Sequence, residues 1–268
     1  MTSPDNMTSL DNLLDEAEAA PVDGWDFAWF DGRATEERPP WGYARRLGER
    51  LRTATAALDV QTGGGEVFAG ALGAAFAAGA GPATVAATES WAPNAALARA
   101  ALAPFGAAVE QVADDAALPF PAGAFDLVSS RHPTVVGWAE LGRVLAPGGT
   151  YFAQHVGVGT AAALTDFMMG PQPVGNGRSV ERARAGAEAA GLEVVDVRTA
   201  TLRLEFLDVA AVAVYLRKVI WIVPGFTIAR YRRRLAAMHE LIGREGSFAA
   251  TTTRYLIECR KPHGVDGR

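Results

Sequence analysis

The chain has 268 residues, 49% of them hydrophobic and 21% charged, a mixture that can bury a large core and that excludes a disordered or a fibrous chain. Thirty acidic against 25 basic side chains leave a net charge of −5 at pH 7, so the whole-molecule field repels a polyanion and argues against nucleic acid as a partner. A single cysteine, Cys259, excludes an intrachain disulfide and a cysteine-based zinc cluster, and the four scattered histidines (His132, His155, His239, His263) have no metal-ligand spacing.

Residues 1–20 are polar and acidic, lack the basic and apolar regions of a secretory signal, and read as a flexible N-terminus. With the cysteine usage, this points to a reducing compartment, the cytoplasm. Residues 21–55 form an aromatic leader with Trp25, Phe27, Trp29 and Phe30, then Trp41 and Tyr43 after Pro39-Pro40. Such rings suit either packing on the edge of a core or a lid over a ligand. Residues 67–88 carry no charge, but they consist mainly of alanine and glycine with Gly81-Pro82 inside, so they read as a buried helix and strand rather than a membrane span.

From residue 56 the chain alternates. The pattern predicts a strand over 56–61, a glycine-rich turn, a helix over 66–78, a strand over 83–88, a helix over 93–103 and strands over 107–112 and 125–130. A helix over 137–145 is stopped by Ala146-Pro147-Gly148-Gly149, and a strand follows over 150–156. After a Gly/Pro-rich connection at 169–177 come a helix over 180–190 and a strand over 192–201. Residues 202–246, with the basic run Arg230-Tyr231-Arg232-Arg233-Arg234, read as a helical insertion covering an acceptor site, and 247–268 as the last strand, over 251–259, and a tail. The core thus runs over 56–201. The expected class is α/β, a mostly parallel sheet with helices on both faces and ligands at the carboxyl ends of the strands.

The turn Thr62-Gly63-Gly64-Gly65 lets main-chain N–H groups face a ligand without an intervening Cβ, as dinucleotide and S-adenosylmethionine sites both require. The dinucleotide pattern needs a third glycine where Phe68 stands, which weakens an NAD-linked reductase reading. The second strand ends in Thr88-Glu89-Ser90, placing a carboxylate where a ribose diol can donate to it, a feature of both classes. The third ends in Ala113-Asp114-Asp115 followed by Ala-Ala-Leu-Pro-Phe, which puts a second carboxylate where an adenine amino group would lie and an apolar wall beneath the ring.

Through LDVQTGGGE, ATES, DDAALPF, FDLVSS and RVLAPGGTYF, in that order and spacing, the chain resembles the class I S-adenosylmethionine-dependent methyltransferases over about residues 56–157, in particular the type 11 methyltransferase domain. Its flanks resemble a bacterial subgroup of that family. The resemblance implies a Rossmann-like fold with a seven-stranded, mostly parallel sheet, and S-adenosylmethionine as cofactor with S-adenosylhomocysteine as product. It implies that Asp59 and the turn Thr62, Gly63, Gly64 and Gly65 hold the methionine end, that Glu89 with Ser90 takes the ribose, and that Asp114 takes the adenine amino group, with Asp115 and Ala116 beside the ring. Ser130 and Arg131 fall near the methionine moiety. Gln61 stands where the family usually has glycine, and its carbonyl can still accept from the cofactor's ammonium group.

A sulfonium methyl is already an electrophile, so alignment and exclusion of water dominate and a strong base is optional. His132 is the expected catalytic base if the acceptor is a hydroxyl, and Trp41, His155 and Trp221 are candidate acceptor-site residues. The expected partner is a small-molecule methyl acceptor, with no metal, no stable membrane insertion, and a monomer or homodimer. Two alternatives stand beside this reading: a non-catalytic S-adenosylmethionine-binding or interaction protein, supported by Gln61, and an RNA methyltransferase, supported by the arginine run alone.

Overall fold

A computed structural model describes residues 9–22 and 27–263. Trp25 of the aromatic leader lies outside the described residues, as do residues 1–8 of the expected flexible N-terminus. In chain order the elements are α1 (Leu10–Ala19), β1 (Ala34–Glu36), α2 (Tyr43–Leu51), β2 (Ala56–Asp59), α3 (Glu66–Ala77), β3 (Thr84–Glu89), α4 (Ala92–Leu102), β4 (Ala108–Gln111) and β5 (Phe125–Arg131). They continue as α5 (Trp138–Val144), β6 (Leu145–Val156), α6 (Ala162–Met169), α7 (Val180–Ala189), β7 (Glu193–Phe206), α8 (Val209–Lys218), α9 (Ile228–Glu245) and β8 (Phe248–Arg260).

The alternation expected from residue 56 onward is present, and the differences have local causes. Residues 10–19 are helical rather than irregular, because Ser9 caps α1 by accepting from the Asn12 N–H and Leu13, Leu14 and Ala17 bury one face. The Ala146-Pro147-Gly148-Gly149 stretch ends α5 but does not delay the strand: β6 starts at Leu145, and a register shift between Phe125 and Leu127 opposite it absorbs the extra residues. Strand β7 continues to Phe206, so the insertion loses its first five residues to the sheet.

The chain forms two units. The larger comprises Pro39–Val158, Asn176–Ala200 and the described residues from Arg254 onward; the smaller comprises the described residues through Arg38, Gly159–Gly175 and Thr201–Thr253. This division interleaves along the chain, unlike the linear leader, core and insertion that the sequence suggests.

In the larger unit the strand order is β7-β8-β6-β5-β2-β3-β4. The pairs β2/β3, β2/β5, β3/β4 and β5/β6 are parallel and β6/β8 is antiparallel. Side chains alternate across this sheet with period two. Ala57, Ala87, Leu127, Phe152 and Leu256 face one side with Leu47, Leu51, Phe68, Leu72 and Leu102 from α2, α3 and α4. Leu58, Ala86, Val128, Tyr151, Ala153 and Ile257 face the other with Leu141, Val144, Ala183 and Ala187 from α5 and α7. Both faces are therefore covered, as a parallel sheet requires. Strand β1 pairs antiparallel with the Leu204–Phe206 end of β7 in the smaller unit, giving eight strands where seven were expected.

The smaller unit is built around α8, whose residues Val209 to Leu216 are all buried. Arg33 holds Glu16 through a two-pronged pair at 2.7 and 2.8 Å and also meets Asp208 at 3.0 Å, while Arg217 donates to the Ala17 and Ala20 carbonyls at the end of α1. The arginine run lies in the first turns of α9, where Arg232 pairs with Asp11 and Arg230 reaches the Gly225 carbonyl. No helix among the described residues is long and apolar enough to cross a membrane.

Cys259 is fully buried in β8, and burial is the main force pushing its thiol up to about 12. The native protein is therefore expected to resist alkylation by iodoacetamide at pH 8 and to react only after unfolding, a contrast that mass spectrometry reads directly.

Candidate active site

The parallel strands of the larger unit end together, so Asp59, Glu89, Arg131 and the residues after each come to one edge of the sheet. Asp59 is 5% exposed and accepts from the Ser129 hydroxyl at 2.5 Å. Burial raises its carboxyl above the usual range, while the Ser129 hydrogen bond and the positive charge of Arg131 pull it back. The Val60 N–H bonds the Ser129 carbonyl at 2.8 Å and the Ser130 hydroxyl bonds the Val60 carbonyl at 2.7 Å, locking β2 to β5 where the chain leaves the sheet.

The glycine-rich turn follows. Gly63 and Gly65 have φ of +65° and +84°, in the region that favours glycine, and Gly65 caps α3. A Cβ on Gly65 would lie 3.2 Å from the Ala98 Cα, so that glycine also sets how closely α3 approaches α4. Phe68, in place of a third glycine, is 2% exposed and packs among the core side chains of the same face.

Glu89 is 7% exposed and its two oxygens serve the main chain: Oε2 accepts from the Gly63 N–H at 2.8 Å and Oε1 from the Trp91 N–H at 3.0 Å. It thereby ties the glycine turn to the start of α4. Ser90 accepts at its carbonyl from the Gln111 side chain. The DDAALPF loop is fixed from below, because Leu118 N–H donates to Glu140 and Arg143 donates to the Leu118 and Phe120 carbonyls. Asp115 and Ala116 are exposed.

Gln61 behaves in a way the sequence does not announce. It holds φ of +56°, and its side chain crosses to the segment after β5: Oε1 accepts from the Thr134 N–H at 2.7 Å and Nε2 donates to the Val135 carbonyl at 2.6 Å. The Thr134 hydroxyl in turn meets both Gln61 Oε1 and the Asp114 carboxylate. Thr134 is thus placed between the glycine turn and the carboxylate expected to take an adenine amino group.

A second chain of hydrogen bonds runs through β6. The Trp41 indole N–H donates to Gln154 Oε1 at 2.8 Å, and Gln154 Nε2 lies 2.8 Å from His132 Nε2. The indole can only donate, so the carboxamide presents its oxygen to Trp41 and its NH2 to His132, whose Nε2 must accept. The main chain agrees, with the His132 N–H on the Gln154 carbonyl at 2.7 Å and φ of +60° at His132. Burial, with the charges of Arg131 and Arg254, holds the imidazole well below its usual value. Tyr43, stacked on Phe152, donates to the Ser130 carbonyl from the same side. Sequence reasoning misses Gln154 and Thr134 and takes Tyr43 only as one ring of the aromatic leader; the signal for Gln154 is a polar residue inside the apolar run of β6.

His155, one residue on, faces the opposite side of the sheet. It is 4% exposed, with Tyr151 at Nε2 (3.1 Å), Tyr255 at Nδ1 (2.9 Å) and the Trp138 ring stacked nearby, so it is a core residue apart from the Asp59 and Glu89 edge. Trp221 belongs to the smaller unit, where it packs against the buried cluster around α8. Burial pushes His155 down to about 3, below the ordinary 6.5 of the unfolded chain. The unfolded state therefore gains a proton first as pH falls, and stability is expected to drop between pH 6.5 and 3 by up to roughly 1.4 kcal/mol per unit from this group. Denaturant titrations of the parent and of His155→Phe across that range would measure it, the variant showing the shallower decline.

Residues 58–153 match a family model described as a methyltransferase domain, of the type 11 family. Among solved structures the chain is similar to a candidate methyltransferase from Bacillus halodurans C-125 (18% identity, 82% of this chain and 98% of that one, TM-score 0.55). It is likewise similar to the YcgJ protein from Bacillus subtilis (16% identity, 81% and 98%, TM-score 0.56) and to a functionally unknown protein from Deinococcus radiodurans R1 (16% identity, 85% and 90%, TM-score 0.55). A search among proteins of curated function returned no match. The matched segment begins one residue before Asp59 and ends one residue before Gln154, so it contains the glycine turn, all three carboxylates and His132. Residues 58–153 thus carry the match to a methyltransferase domain, and the chain around them has the Rossmann-like α/β fold of the solved structures it is similar to.

Proposed function

We propose that this chain transfers the methyl group of S-adenosylmethionine to a small-molecule acceptor at the carboxyl edge of β2, β3 and β5. The observation that carries the reading is the convergence there of a glycine turn with Asp59 and Glu89, next to Asp114 on the following loop. The donor and acceptor chemistry fits the cofactor. Each oxygen of Glu89 accepts one main-chain N–H and keeps a lone pair for a ribose hydroxyl, and Asp114 already accepts from a neutral donor, as it would from an adenine amino group.

In this reading the turn from Gln61 to Gly65, with Asp59, holds the methionine portion, Glu89 and Ser90 the ribose, and Asp114 with Asp115 and Ala116 the adenine. When bound, the cofactor supplies an electrophilic methyl group. The chain's part is then to align the acceptor and exclude water rather than to supply strong base. Ser130 and Arg131, at the end of β5, flank that position, and Trp41 acts by fixing Gln154 rather than by touching the acceptor.

Binding without turnover is the second reading, favoured by one observation, the Gln61–Thr134–Asp114 bridge across the expected cofactor position. The negative net charge and the pairing of Arg232 with Asp11 weigh against an RNA substrate. Calorimetric titration with S-adenosylmethionine, S-adenosylhomocysteine and NADH tests the cofactor. Micromolar binding of the two adenosyl ligands and none of NADH is expected; failure of both adenosyl ligands to bind would overturn the reading.

A further inference from the structure

The relay from Trp41 through Gln154 leaves His132 a defined role. Its Nε2 accepts from Gln154, so in the neutral ring the proton sits on Nδ1, and among the described residues no group accepts from that atom. A ring in this state offers a hydrogen-bond donor and has no free lone pair with which to remove a proton. The general base expected at this position is therefore replaced by a donor.

Positive charge gathers on the same face. In the register of the sheet Arg131 of β5 stands opposite Gln154 of β6, and Gln154 stands opposite Leu256 of β8. Arg254 lies two residues from Leu256 along β8, opposite Val156 and on the same side as Gln154. It is 7% exposed, a burial rare for arginine. The groups that act on the His132 ring are Arg131, Arg254 and, through the sheet, His155, two of them fixed cations and one a neutral core histidine.

We propose that His132 donates a hydrogen bond from Nδ1 to a carboxylate on the methyl acceptor, and that Arg131 and Arg254 supply the charge that selects it. Trp41 and Gln154 are positioning residues that hold the ring in the donating tautomer. A carboxylate oxygen carries no proton, so an acceptor of this class needs no base: its oxygen would bond the methyl carbon as the sulfonium S–CH3 bond breaks, the electron pair leaving with sulfur, to give a methyl ester and S-adenosylhomocysteine. The word acceptor rests on the methyltransferase reading; the anion site stands without it.

The test reads the His132 ring nitrogens by long-range proton–nitrogen NMR on the full 15N-labelled chain, without cofactor, with benzoate as probe, benzamide as its neutral counterpart and inorganic phosphate as a second anion. The expected result is the Nδ1–H tautomer with no titration between pH 6 and 8, and saturable shifts with benzoate but not with benzamide. Phosphate shifts at least as strong as those of benzoate would overturn the carboxylate assignment. Arg254→Gln is expected to weaken benzoate at least tenfold, and Arg131→Gln, at an exposed position, at least threefold. Gln154→Glu replaces the donor to Nε2 by an acceptor and is expected to move the proton to Nε2 or to charge the ring within the same pH range. An Nε2–H or imidazolium ring in the parent, equal response to benzoate and benzamide, or benzoate affinity unchanged in Arg131→Gln would each overturn the proposal. S-adenosylmethionine binding by calorimetry is independent: its absence alongside the expected NMR result would sink the methyltransferase reading only, and its presence with an Nε2–H ring would sink this proposal only.

Discussion

Replacing Glu89 by alanine is expected to reduce S-adenosylhomocysteine affinity by at least 100-fold and to cost roughly 2–4 kcal/mol of stability, because one carboxylate both holds two main-chain N–H groups and faces the proposed ribose position. The structural part follows from its partners. Removing it orphans the Gly63 and Trp91 N–H groups, and a buried unmet donor costs about 1–3 kcal/mol. The glycine turn then loses its tie to α4, which disorders the main chain that the methionine portion would contact. Glu89→Gln keeps one acceptor oxygen while turning an NH2 toward the other N–H, so it should recover part of the stability and still bind at least tenfold more weakly than the parent. Denaturant melts and calorimetry on the three proteins separate the effects. Unchanged affinity in Glu89→Ala, with stability lost as expected, would make Glu89 a turn cap and remove it from the cofactor site.

Much of this arrangement is written locally. The glycine turn, Glu89 and Asp114 are legible as candidates because each lies at or just past the end of a strand, and a parallel sheet brings such ends together without further information. What escaped was decided by pairings distant in sequence. The chain separates Gln61 from Thr134 by 73 residues and Trp41 from Gln154 by 113, and nothing in either neighbourhood marks the partner. His155 was assigned to an acceptor site because it lies near a strand end, yet strand parity sends Gln154 to the Asp59 face and His155 into the core with Tyr151 and Tyr255. That parity could have been read once the neighbouring Phe152 and Tyr151 were assigned to opposite faces. The interleaved division of the chain had no local signal, since β7 and β8 each run through the boundary between units.

The bridge through Thr134 gives the second large effect. For an adenine amino group to reach Asp114 the Thr134 hydroxyl must leave it, and the exchange of one hydrogen bond for another opposes binding by about 1 kcal/mol. Thr134→Val removes the competitor without shortening the side chain and is expected to tighten S-adenosylhomocysteine three- to tenfold, while Thr134→Ser, which keeps the hydroxyl, should bind as the parent does. Gln61→Gly acts on the same bridge from its other end. It removes the bonds to Thr134 and Val135 and at the same time relieves a side chain from φ of +56°, a conformation costing about 1 kcal/mol for a residue other than glycine. Stability should therefore change little, whereas hydrogen exchange at Thr134 and Val135 should accelerate and affinity should rise with it. Weaker binding in Thr134→Val would reverse the assignment: the hydroxyl would then be part of the cofactor's own contact set, and the segment after β5 would close on the ligand rather than compete with it.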